Sequence, residues 1–154
     1  MKIVVGEGSC GIAAGAAKVY SAVEKLIGST ASTLTVTGCI GMCFLEPIVD
    51  IYDGGELKKR LVKVQPEDAE KIIAYVNGDE NAVNDIEISD DDKLFLEKQT
   101  RIALRHCGII NPEVIDEYTA EDGYKALEKV LKTMTPEEVI EEIKVSGLAG
   151  RGGA

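Results

Sequence analysis

The spacing of apolar positions changes repeatedly along the first half of the chain, and each change predicts an element. Lys2-Ile3-Val4-Val5 reads as a buried strand. Gly6, Gly8 and Gly11 then punctuate a loop around Cys10. From Ala16 the spacing becomes helical: Ala16, Val19, Val23 and Leu26 share a face, Ile27 lies beside them and Gly28 stops the run. Residues 33–37 (Thr-Leu-Thr-Val-Thr) alternate and are rich in β-branched types, which predicts a second strand. Residues 48–52 (Ile-Val-Asp-Ile-Tyr) predict a third, Asp53-Gly54-Gly55 a hairpin turn, and residues 57–64 a fourth strand with a basic outer face. Pro66 stands at a good first helical position. Ala69, Ile72, Ile73 and Val76 form the apolar stripe of the helix behind it, which Asn77-Gly78 ends.

The order is therefore strand, helix, strand, strand, strand, helix. A two-residue Gly-Gly turn makes the last two strands antiparallel, whereas the intervening helix makes the first two parallel. An α/β fold with a mixed four-stranded sheet and two helices is expected over residues 1–78.

Beyond Gly78 the pattern is different. Residues 79–92 are polar and acidic, ending Ser89-Asp90-Asp91-Asp92, and read as a solvated linker. From residue 93 through His106 helix and extended chain are equally compatible with the pattern. Asn111-Pro112-Glu113 reads as the start of a helix, with Asn as cap and Pro at the first position. Asp122-Gly123 interrupts it, and Tyr124 to Met134 continues helical. Thr135-Pro136-Glu137-Glu138 is a capping box that opens a last helix, running to about Val145 and stopping at Ser146-Gly147. The mainly helical segment is thus expected over 93–154. The final Leu148-Ala149-Gly150-Arg151-Gly152-Gly153-Ala154 looks like a loop interrupted in its middle, so the chain is expected to be a fragment.

Charge sharpens this division. Residues 1–78 carry a net charge of -1 and residues 79–154 one of -9, out of -10 in all. An acidic chain of this kind is a poor match for nucleic acid, whose phosphates require Lys and Arg patches. There is no apolar run long enough to span a membrane. The first residues enter a strand without the apolar stretch of a signal peptide, and a cytoplasmic chain is expected.

Candidate chemistry rests on the cysteines: Cys10, Cys39, Cys43 and Cys107. In a cytoplasmic chain these suit a metal site or free thiols better than structural disulfides. Cys107 reads as a small buried apolar residue. Cys39 and Cys43 are separated by three residues in a loop whose Gly38 and Gly41 allow both sulfurs to face one side, with backbone N–H groups aimed at them. Cys10 follows the first strand and precedes a helix, whose N-terminus favours a thiolate. The loops after strands one and two lie at one edge of the sheet, so the three sulfurs could meet. Iron–sulfur clusters need such convergence. A thiol–disulfide site prefers two intervening residues, and structural zinc prefers paired short spacings, so both fit less well, without being excluded. The only histidine, His106, is distant in sequence.

Two stretches carry a family resemblance. Gly8-Ser9-Cys10-Gly11-Ile12-Ala13-Ala14-Gly15-Ala16, followed by Thr37-Gly38-Cys39-Ile40-Gly41-Met42-Cys43 and Glu46-Pro47, resembles thioredoxin-like [2Fe-2S] ferredoxin domains. Arg101-Ile102-Ala103-Leu104-Arg105-His106-Cys107-Gly108, Asp116-Glu117-Tyr118, Gly123-Tyr124, Thr135-Pro136-Glu137-Glu138-Val139-Ile140, Ser146-Gly147-Leu148 and Gly150-Arg151-Gly152-Gly153-Ala154 resemble the opening of the NADH-binding flavoprotein (beta) subunits of complex I-type dehydrogenases and NAD(P)-dependent [FeFe]-hydrogenases.

The resemblance implies a thioredoxin-like ferredoxin domain over 1–78 and the truncated start of an FMN- and NADH-binding domain over 93–154. It implies a [2Fe-2S] cluster on Cys10, Cys39 and Cys43, and a role in electron transfer among the other subunits of a hydrogenase or dehydrogenase. Gly150, Arg151, Gly152 and Gly153 would begin an FMN loop that only a full-length parent chain completes, so FMN and NAD(P)H are not expected here. The family pattern has four cysteines, and Val5 stands where the first would be. Glu7, Ser9, Cys107 or a neighbouring protein chain are the candidates for the missing ligand. A cluster-free module that docks other subunits is the alternative, and a thiol redox enzyme using Cys39 and Cys43 a further one. The resemblance also implies a cis peptide bond before Pro47, against the ordinary trans form.

Overall fold

The computed structural model describes residues 1–28 and 30–150. The chain divides into two compact units, Met1–Val114 and Ile115–Ala154.

The first unit is built on a four-stranded mixed sheet. Its strands are β1 (Lys2–Gly6), β2 (Thr33–Thr37), β3 (Val49–Asp53) and β4 (Glu56–Leu61), in spatial order β2-β1-β3-β4. β1 and β2 are parallel, with Val4 opposite Thr35. β3 runs antiparallel to β1, with Val4 opposite Asp50, and to β4, where a bulge falls between Ile51 and Tyr52. The topology expected from the helix crossover and the Gly54-Gly55 turn is therefore the one formed.

Between β1 and β2 run α1 (Ser9–Ala14) and α2 (Ala16–Ile27). Gly15, with φ of 107°, joins them, a left-handed conformation that glycine adopts without strain. The expected glycine loop around Cys10 is thus shorter than the sequence suggests: Cys10 already lies in the first turn of α1. After β4, a 3₁₀ turn (Pro66–Asp68) closed by a Gln65–Asp68 capping box leads into α3 (Ala69–Val76).

One face of the sheet holds the main core. Ile3 and Val5 of β1, Val49 and Ile51 of β3, and Leu61 of β4 pack against Ala16, Val19 and Val23 of α2 and Ala69, Ile72 and Ile73 of α3. These are the apolar positions that the helical and alternating periods single out. Val5 is fully buried in this cluster.

Residues 79–92 depart from the expectation of a solvated linker. Val83 and Ile88 are buried, and Leu61 bridges to Glu87 as a short antiparallel pair. The Val62 N–H donates to Ile86 O and the Ile88 N–H to Arg60 O, so the segment extends the sheet edge beside β4. Lys59 and Lys93 both pair with Glu87. The acidic residues are the outer face of a packed segment. Ser89 then caps α4 (Asp90–Glu97) by accepting from the Asp92 N–H, so the region the sequence left open begins helical, and residues 98–106 continue as turns and irregular chain.

The opposite sheet face is also covered. Thr37 Oγ1 donates to Ile110 O at 2.8 Å and accepts from the Gly108 N–H at 3.1 Å. Tyr52 Oη donates to Gly108 O, and Asn111 Nδ2 to Thr35 Oγ1. Residues around 101–111 therefore belong to the first unit, and a module boundary at residue 93 is displaced to Val114. The reason is polar: alternate Thr and Tyr side chains on that face supply partners that a purely apolar search does not register.

The second unit contains α5 (Ile115–Ala120), α6 (Lys125–Thr133) and α7 (Pro136–Ser146). α5 starts later than Asn111-Pro112 suggests, because Asn111 Oδ1 accepts from the Glu113 N–H in a preceding turn. Asp122 and Tyr124 adopt positive φ at the expected interruption. Thr135 and Glu138 form the expected capping box of α7. No helix among the described residues is long and apolar enough to cross a membrane.

Candidate metal centre

The candidate site follows from strand directions. β1 and β2 are parallel, so their C-terminal ends share one sheet edge. β3 is antiparallel to β1, so its N-terminal end comes to the same edge. Three connections therefore converge: the one after β1 carrying Cys10, the one after β2 carrying Cys39 and Cys43, and Glu46-Pro47 leading into β3. Backbone bonds tie them together, from the Gly6 N–H to Ile48 O at 2.9 Å and from the Glu7 N–H to Thr37 O at 2.8 Å.

Glycine permits the close approach. A Cβ on Gly8 would lie 2.8 Å from the Cys39 Cβ and 2.9 Å from its nitrogen. The Cys39–Cys43 loop is held by what it buries. Ile40 and Met42 join Leu45, Ile48 and Ile88 in a second small core, and Arg101 donates to Ile40 O. Gly41 has φ of 93°, and its N–H points at Cys39 Sγ at 3.3 Å. A short 3₁₀ turn (Cys43–Leu45) follows. The peptide bond between Glu46 and Pro47 is cis, as the resemblance implies.

The three sulfurs meet. The ligand atoms of Cys10, Cys39 and Cys43 all lie within 4.8 Å of one another. Cys39 Sγ and Cys43 Sγ are 3.6 Å apart, far beyond a disulfide bond length of about 2.05 Å. Two sulfurs bound at about 2.3 Å to one tetrahedral metal would lie about 3.8 Å apart, so this pair is spaced as ligands of a single ion. Cys10 and Cys39 are half-buried and Cys43 is exposed.

The electrostatics suit a cation. The Cys10 thiol is pushed up to about 12, mainly by hydrogen bonding with Cys39, then by burial and by Cys43. The helix start at Ser9 does not offset this crowding, contrary to the expected stabilised thiolate. Without a cation such a group stays protonated; a metal replaces those protons. The site thus fits a thiolate-bound metal group by both spacing and chemistry.

Other expected participants fall elsewhere. Glu7, Cys107 and His106 are not in the group of mutually close donors, and Ser9 is exposed. Val5, at the position of the missing family cysteine, lies in the main core. Gly150 has open space around it, and Arg151, Gly152 and Gly153 lie outside the described residues. Sequence reasoning missed Glu46. The Cys10 thiol faces its Oε1 at 3.8 Å, while its Oε2 accepts from the Ile48 N–H at 2.9 Å. Burial pushes the Glu46 carboxyl above its ordinary value. Two acidic residues, Glu46 and Asp50, interrupt the otherwise apolar run from Met42 to Ile51, and they were the available signal.

Comparison with known proteins sets this geometry in context. The architecture is that of the thioredoxin-like [2Fe-2S] ferredoxin of Aquifex aeolicus. One structure of it superposes with a TM-score of 0.50 at 22% identity, covering 57% of this chain and 89% of that one. No family model matches the chain. In sequence it is related to subunits of hydrogenases and NADH-quinone oxidoreductases. It is 63% identical over 57 residues to the HndC subunit of the NADP-reducing hydrogenase of Solidesulfovibrio fructosivorans, covering 37% of this chain and 11% of that one. It is 40% identical over 62 residues to one of the NADH-quinone oxidoreductase subunits of Aquifex aeolicus, covering 40% and 14%. The matched part spans little more than a tenth of these curated relatives.

Proposed function

We propose that the chain is an electron-transfer module that carries a [2Fe-2S] cluster on Cys10, Cys39 and Cys43. The observation that carries this reading is the meeting of three thiols within 4.8 Å at one rim of a thioredoxin-like sheet. The named function of the structural neighbour, a [2Fe-2S] ferredoxin, agrees with it. When bound, such a cluster accepts and returns one electron, at a potential set by charge, burial and hydrogen bonds to sulfur. This chain supplies those terms. Cys10, Cys39 and Cys43 would hold the cluster, and the Gly41 N–H points towards Cys39 Sγ. Cys43 and the neighbouring Phe44, which is 64% exposed, leave an open edge through which an electron partner can approach.

The relatives are subunits of multisubunit enzymes. We therefore read the chain as part of an NAD(P)H-linked hydrogenase or dehydrogenase, passing electrons to or from a flavin in the longer parent protein. The helices from Ile115 onward and the glycine stretch from Gly150 to Gly153 would lead into the FMN- and NADH-binding domain there. Four unpaired cysteines suit the reducing cytoplasm.

The test is anaerobic reconstitution followed by iron and acid-labile sulfide determination. About two of each per chain, with sulfur-to-iron absorption in the visible, are expected. A folded protein that takes up neither is a cluster-free docking module, and the electron-transfer reading fails.

A further inference from the structure

We infer that Glu46 is the fourth protein ligand of the cluster, binding through Oε1 beside Cys10 while Cys39 and Cys43 form the other ligand pair; this rests on the cluster reading above. The resemblance leaves the cluster one thiolate short, because Val5 is sealed in the core. A different donor must come from the same rim. Glu46 is 7% exposed, and its carboxylate meets the Ile48 N–H and the Cys10 thiol, with no Lys or Arg paired to it among the described residues. Burying a carboxylate is costly without a compensating cation. A metal at Oε1 provides that cation and leaves the Oε2 bond to Ile48 intact.

The spacing divides the four donors into two pairs. Cys39 and Cys43 sulfurs are 3.6 Å apart, and Cys10 Sγ is 3.8 Å from Glu46 Oε1. A sulfur at about 2.3 Å and an oxygen at about 2.0 Å on one tetrahedral metal lie about 3.5 Å apart. Glu46 falls outside the tight group of three sulfurs. Each iron of a two-iron cluster takes two protein ligands, and Glu46 with Cys10 supplies the pair that Cys39 and Cys43 leave unfilled. The backbone makes room for this carboxylate. A Cβ on Gly6 would come within 3.3 Å of Glu46 Oε2, and one on Gly11 within 3.2 Å, besides striking Gly6 O at 2.2 Å.

The experiment is Mössbauer spectroscopy of the full chain reconstituted anaerobically with iron-57 and sulfide. Wild type and the Glu46→Gln and Glu46→Cys variants are compared, with circular dichroism as the control for folding. Two inequivalent iron sites are expected in oxidised wild type, one sulfur-only and one carrying oxygen. Glu46→Gln should reduce retained iron about tenfold or more, on the scale seen when metal-site partners are lost. Glu46→Cys should restore loading and make the two sites alike. Wild-type occupancy and an unchanged spectrum in folded Glu46→Gln would overturn the assignment. If that variant does not fold, Glu46→Cys decides: two sites that stay as unlike as in wild type overturn it. Wild-type protein that binds no cluster at all refutes the underlying reading, a result distinct from a loaded cluster indifferent to Glu46.

Discussion

Gly8 and Cys39, thirty-one positions apart in the chain, touch so closely that a methyl group on Gly8 would stand 2.8 Å from the Cys39 Cβ. Gly8 has φ of -61°, which any residue adopts, so the demand for glycine here is one of space alone. Gly8→Ala is therefore expected to push Cys39 away from Cys10. Overpacking of this kind costs about 1–3 kcal/mol, and cluster loading should fall with it. Gly38→Ala is the control, since nothing lies within 4 Å of a Cβ there. Urea unfolding and iron content of the two variants check this; equal losses in both would contradict it.

The sheet beneath the site depends on one buried ion pair. Arg60 donates from Nε and Nη2 to both oxygens of Asp50, at 2.8 and 2.7 Å. The Asp50 side chain is only 3% exposed. Arg60→Ala strands this carboxylate between β1 and β4 and is expected to destabilise the protein by about 3–5 kcal/mol. Pairing it with Asp50→Asn removes the uncompensated charge and should recover part of the loss. Denaturant midpoints of the single and double variants give the comparison.

Thr37 fastens the 101–111 segment to the sheet through two hydrogen bonds. Thr37→Val keeps the shape but leaves a buried N–H and a carbonyl unpaired, a cost of about 1–3 kcal/mol for each group left unsatisfied. Amide exchange at Gly108 and its neighbours should accelerate well before exchange in β1. Uniform acceleration across the sheet would mean that the segment is not a separately opening unit.

Acid sensitivity should report on the segment beside β4. Burial pushes the Glu87 carboxyl up, but hydrogen bonds and charge from Lys59 and Lys93 outweigh it and hold the group below its ordinary 4.5. A carboxyl lowered in the folded state contributes stability that is present above about pH 4.5 and is lost as pH falls through the folded value. Glu87→Gln is expected to cost about 1 kcal/mol at neutral pH and to lose less stability than wild type on acidification. Denaturation curves between about pH 3 and 7 test the sign.

How much of this is legible in the sequence depends on whether side chains or periods carry the information. The strands and the helices α2 and α3 follow from apolar spacing, because burying those faces is what forms the core. The meeting of Cys10 with Cys39 and Cys43 follows from a single inference, that a helical crossover makes β1 and β2 parallel. Residues 79–92 mislead because acidic side chains on the outside hide Val83 and Ile88, the two that pack. The segment around Gly108 misleads because polar bonds from Thr37 and Tyr52 hold it, and such pairings have no period. Glu46 escapes notice for the same reason: its partner lies thirty-six positions away.

The central claim is that Cys10, Cys39 and Cys43 share one redox group, and electron paramagnetic resonance of the dithionite-reduced, reconstituted protein tests it most directly. A one-electron-reduced two-iron cluster gives about one unpaired spin per chain. That signal should appear in wild type and be lost or shifted in Cys10→Ser, Cys39→Ser and Cys43→Ser, while Cys107→Ser leaves it unchanged. A signal identical to wild type in all three ligand variants would contradict the assignment.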